Sequence, residues 1–140
     1  MAADSWTRWG LRAAERCLSN AEGNVRRAEE RLGRPAPARF FALAWDEAIR
    51  ASALEACRYI SGLDADWAAE RNARGWSQAT TWTGHILSER AVLTRAEAAH
   101  ALALLHQHRR QLSHDANVVL FGEPLAPRRR ADPEQAALGF

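Results

Sequence analysis

The stretch that decides the fold class is Thr94-Arg95-Ala96-Glu97-Ala98-Ala99-His100-Ala101-Leu102-Ala103-Leu104-Leu105-His106-Gln107-His108-Arg109-Arg110-Gln111-Leu112-Ser113-His114-Asp115-Ala116-Asn117-Val118-Val119-Leu120-Phe121-Gly122. Its first four residues form a capping box, in which threonine and glutamate each satisfy an orphan backbone amide at a helix start. Alanine, leucine, arginine and glutamate are prominent in the chain, and these are strong helix formers. Gly122 is suited to close the run with a left-handed residue. Leu102, Leu105, Leu112, Ala116 and Val119 recur at helical spacing and define one apolar stripe, with Arg109 in its middle. The spacing predicts a single long helix from Thr94 to about Leu120.

Working outward, a third helix is expected over roughly Trp82 to Leu93. Before it, Leu63 to Ala79 is polar and irregular and contains Trp67, Gly75 and Trp76. A short helix around Asp64 to Arg71 fits there. A second helix is predicted from about Pro37 to Ile60, with Phe40, Ala44, Glu47, Ala51 and Leu54 on one face. The first helix runs from near Ser5 to Leu32, striped by Leu11, Ala14, Leu18, Ala21, Val25, Ala28 and Leu32. Gly33-Arg34-Pro35 stops it, and the short connection predicts an antiparallel neighbour. No strand-like alternation occurs. The expected architecture is all-α: an antiparallel four-helix bundle over residues 1–122, with a short extra helix or loop between helices two and three. Residues 123–140, with three prolines and Arg128-Arg129-Arg130, read as an extended, mobile tail.

Composition narrows the function classes. A chain of 140 residues, 47% apolar, can bury one core without disulfides or metals to staple it. All 19 basic residues are arginine. Guanidinium forks bind carboxylates and phosphates bidentately, although codon bias explains the absence of lysine more simply. The net charge of +2 implies no nucleic-acid partner by itself. Cys17 and Cys57 form no C-x-x-C pair and read as small buried thiols. The chain shows no signal-peptide h-region and no apolar run of membrane-spanning length, so no membrane association and a cytoplasmic location are expected. No lysine means no Walker-type phosphate loop, and no G-x-G-x-x-G or G-x-S-x-G motif is present.

Two residues break the apolar stripes: Arg109 on the last helix and Glu47 on the second. A buried charge needs a partner. Either the two face each other inside the bundle, or each side chain reaches out at the stripe's edge. His85, His100, His106, His108 and His114 lack the i, i+3 or i+4 spacing of metal ligands on one face, so neither a metal nor another cofactor is expected. The tryptophans read as packing residues and not as a base-stacking platform.

Arg109-Arg110-Gln111-Leu112-Ser113-His114 contains an R-x4-H spacing. On the last long helix of a small bundle, this resembles the R-x4-6-H motif of the HEPN superfamily, whose active members are metal-independent RNases. Asn20-Ala21-Glu22, Gly33-Arg34-Pro35-Ala36 and Ala42-Leu43-Ala44-Trp45-Asp46-Glu47-Ala48 resemble its AbiV-type abortive-infection subgroup. Asp46-Glu47 match that subgroup's acidic pair, Arg50 stands nearest its basic position, and His85 to Arg90 matches its histidine-plus-basic segment. The resemblance implies a cytoplasmic phage-defence protein or toxin, a homodimer, and an RNA substrate. Arg109 would bind the scissile phosphate and His114 would move the proton, with Glu47 and Arg110 in support. On a continuous helix, five residues set Arg109 and His114 about 140° apart, so convergence requires a kink or a second copy. The alternative function is a non-catalytic helical module that binds a protein partner, with Arg109 and Glu47 as a structural pair.

Overall fold

The computed structural model describes residues 8–64 and 74–123, with side chains described from Leu18 onward. All regular structure among these residues is helical: α1 (Arg8–Leu32), α2 (Ala38–Leu43), α3 (Glu47–Leu63), α4 (Thr81–Ser88), α5 (Arg95–Gln107) and α6 (His114–Phe121), with a 3-10 turn at Arg109–Gln111. The start of the first expected helix, most of the short helix near Asp64 to Arg71, and all of the tail beyond Glu123 lie outside the described residues. So does the side chain of Cys17. No helix among the described residues is long and apolar enough to cross a membrane.

Two of the four expected helices are each split in two. The second breaks at Ala44–Asp46. There the Asp46 carboxylate accepts the Ala48 amide at 2.8 Å and caps α3, as a short acidic side chain does when it competes with the helix for backbone partners. Arg50 closes the corner by donating from Nη1 to the carbonyls of Ala44 (2.9 Å) and Trp45 (2.8 Å). The last helix breaks between His108 and Ser113, and the Ser113 hydroxyl caps α6 through the Ala116 amide. Each break resets the helical phase. Phe40, Ala44, Leu54, Leu102, Leu105 and Leu112 are buried as expected, whereas Glu47, Ala51 and Val119 face outward.

The core joins α2, α3, α4, α5 and α6 around Ile60, Leu87, Leu102, Leu105 and Leu120. From the described part of α1, Leu18 to Leu32, the C-terminal end enters it: Ala28 and Leu32 are buried, whereas Leu18 is 65% exposed and Val25 is exposed too, so over these residues the expected stripe is covered best near its end. The capping box forms as read: Glu97 N donates to Thr94 Oγ1 at 3.1 Å and Thr94 N to Glu97 Oε1 at 3.0 Å. Gly122 closes α6 in the left-handed conformation, at φ 70°. Helix α4 stops at Ser88, five residues before the expected end. Arg58 then takes up the freed carbonyls of Ser88 and Arg90.

Candidate functional site

The connector between α5 and α6 carries both motif residues. Arg109 opens the 3-10 turn, half-buried, and donates from Nη1 to the His106 carbonyl at 2.7 Å. His114 is the first residue of α6 and is exposed, as is Arg110. The connector is shaped from beneath by Asn117, only 1% exposed. Its amide Nδ2 donates to the carbonyls of Arg109 (3.0 Å) and Ser113 (2.9 Å), with Leu112 O further off at 3.4 Å. The helix does not run straight through the motif, so the 140° separation does not apply. No hydrogen bond or ion pair joins Arg109 to His114. None joins Arg109 to Glu47 either: Glu47 is exposed in the first turn of α3.

Beside Arg109 stands a ring cluster. The His106 ring lies 5.6 Å from Phe40 and 5.2 Å from Phe121, centroid to centroid. The Arg39 guanidinium carbon is 5.2 Å from the Phe40 centroid. Burial, followed by the charges of Arg109 and Arg39, holds the His106 imidazole below its ordinary pKa; Glu123 pulls weakly the other way.

The connector's inner side touches a polar cluster that the sequence did not reveal. His108 Nε2 lies 3.1 Å from Thr80 Oγ1, and its ring meets Trp76 edge-on at 5.3 Å. Burial depresses the His108 pKa against the pull of Asp64. The Gln111 amide receives the Gly75 N–H at 2.6 Å and donates to the Gly75 carbonyl at 2.9 Å. Asp64, 1% exposed, accepts from Thr81 Oγ1 at 2.6 Å and lies 3.0 Å from His85 Nε2. His85 is thus bound into the fold at the end of α3. Trp76 Nε1 donates to Ser61 Oγ at 2.8 Å, Ser61 to Ser88 Oγ at 2.6 Å, and Ser88 to the Gly84 carbonyl at 2.7 Å. The direction of this relay is set at its two ends, by an indole that can only donate and a carbonyl that can only accept.

Asp46 and Arg50 are brought together at the α2–α3 corner, where both serve the backbone. Along with Glu47 they line a surface cleft of about 660 Å³, bordered by Trp45, Leu93, Thr94 and Arg95. Arg95 lies 3.9 Å from the Phe41 centroid and 5.6 Å from that of Trp45, which is itself 74% exposed. Among the described residues, no group of three or more His, Cys, Asp or Glu side chains could hold a metal ion. Cys57 is fully buried and its thiol is pushed up to about 12, so it is no nucleophile. What fold and site define, among the described residues, is a helical protein with a polar connector bearing arginine and histidine. No family model matches the chain, and neither a curated protein nor a solved structure matches it.

Proposed function

We propose that the chain is a HEPN-like defence protein of the abortive-infection kind, acting as a metal-independent RNase through Arg109 and His114. The observation that carries this reading is the break at His108–Ser113, which frees the two residues from the phase of one helix. Arg109 is steadied by its bond to the His106 carbonyl and keeps further N–H groups for a phosphate. His114 is open to solvent and suited to proton transfer with an approaching 2′-hydroxyl or a departing 5′-oxygen. In the transesterification the 2′-oxygen bonds to phosphorus and the P–O5′ bond breaks. The 2′ proton is lost and the leaving oxygen gains one. Arg109 balances the charge that develops on the phosphoryl oxygens. Arg110 adds phosphate contact, and a homodimer supplies the second histidine to a shared cleft.

The test is RNA degradation in EDTA by wild type, His114→Ala and Arg109→Ala. Removing a proton-transfer group, or a donor that stabilises the developing charge, lowers such rates by roughly 100-fold or more, so both variants should be nearly inactive while melting as wild type does. Equal activity in all three, or none in wild type, overturns the reading. A second reading, a non-catalytic protein-binding module, draws on the exposed Trp45 beside Arg95, since tryptophan and arginine dominate interface energetics. Phage protection that survives His114→Ala and is lost in Trp45→Ala would select it.

A further inference from the structure

Two guanidiniums border the ring cluster of Phe40, His106 and Phe121, and neither has a carboxylate partner among the described residues. Arg109 holds only the His106 carbonyl, and Arg39 lies exposed over Phe40. Arg90, by contrast, is held by Glu29 at 3.2 Å and Glu97 at 2.9 Å. Carbonyl contacts do not cancel a guanidinium charge, so positive potential is left standing beside the half-buried His106. The imidazole registers it: after burial, Arg109 and then Arg39 disfavour its protonation, with Glu123 the opposing charge among the described residues. Phe40 and Phe121 are buried, so their faces are not open to a base. Such a place recognises charge and not base identity.

We propose that Arg39 is a phosphate-binding residue, forming with Arg109 a subsite beside His106 that takes a phosphodiester of the RNA strand. This deepens the nuclease reading and rests on it. Arg39 reaches the subsite from α2, on a different element from the R-x4-H motif, so it holds the strand without touching the proton-transfer step.

The experiment measures binding of a 2′-O-methyl RNA oligomer, which cannot be cleaved, by fluorescence anisotropy across a salt series. The full chain is compared with Arg39→Gln and with Arg26→Gln, a control for charge on the exposed surface of α1. Arg39→Gln should weaken binding about tenfold and reduce the salt slope by about 0.7, the value for one lost contact to a single strand. Arg26→Gln should do neither. The His106 ring followed by NMR should titrate at higher pH once the oligomer is bound, and less so in Arg39→Gln. Unchanged affinity and slope in Arg39→Gln, equal losses in both variants, or no binding by wild type overturn the subsite. Inorganic phosphate moving the His106 titration at the same concentration as the oligomer also overturns it, in favour of a free-anion site. Cleavage that depends on His114 while Arg39→Gln is indifferent removes the subsite and leaves the nuclease. Arg39-dependent binding without cleavage by wild type does the reverse.

Discussion

Asn117 shows how one buried side chain sets the shape of the connector. Its amide serves the carbonyls of Arg109 and Ser113, around the break where α5 has ended and α6 begins. Asn117→Leu keeps the branching and heavy-atom count of the side chain and takes that donor away. The expected loss is about 2 kcal/mol, the desolvation cost of unsatisfied buried polar groups, read as a lower denaturation midpoint with an unchanged slope. A midpoint equal to wild type would show that the carbonyls find other partners. Gly84 and Gly75 are the other decisive single positions. A Cβ on Gly84 would run into the Trp76 indole, and one on Gly75, at φ 76°, into Asp64. None of these roles can be read locally. Asn117 looks like an ordinary polar helix residue, and Gln111 pairs with a glycine 36 positions away. Their value exists only after the chain has folded back.

At the scale of elements, starts and stops with unambiguous chemistry were legible. Thr94 with Glu97 and the glycine at 122 marked the start of α5 and the end of α6. Asp46 and Ser113 carry the same capping chemistry, yet each sits inside apolar spacing that continues across it. Periodicity therefore masked two breaks, and with them the orientation of Glu47 and Val119. The motif pair Arg109 and His114 was visible as a spacing, while its setting in a connector was not. The caps make a direct prediction. Thr94→Ala removes the hydroxyl that accepts the Glu97 amide and leaves the reciprocal bond, which the residue's own backbone N–H donates to the glutamate, so it should cost about 1 kcal/mol. Thermal unfolding checks this, and Thr94→Asp should recover most of the loss.

For the whole molecule, protonation is the lever. His106 and His108 are both held below the ordinary histidine pKa, chiefly by burial. As pH falls through that ordinary value the unfolded chain takes up protons that the folded chain refuses. Stability therefore drops with falling pH, and the drop levels off below the folded-state values. Glu97 acts in a lower window. Burial raises its pKa, but the Thr94 amide and Arg90 outweigh this and hold it below its usual value, so its contribution is lost only in more acidic solution. The melting temperature should therefore fall between pH 7.5 and 5.5. The double variant His106→Gln, His108→Gln should flatten that fall. A wild-type profile already flat over this range would contradict the assignment.

Gln111 grips both backbone groups of Gly75, much as a neighbouring strand would. The connector and the segment leading into α4 are thereby geared together. A displacement of the arginine side of the connector is thus carried, through the Gln111 carboxamide, to Gly75 and to the Trp76 indole that follows it in the chain.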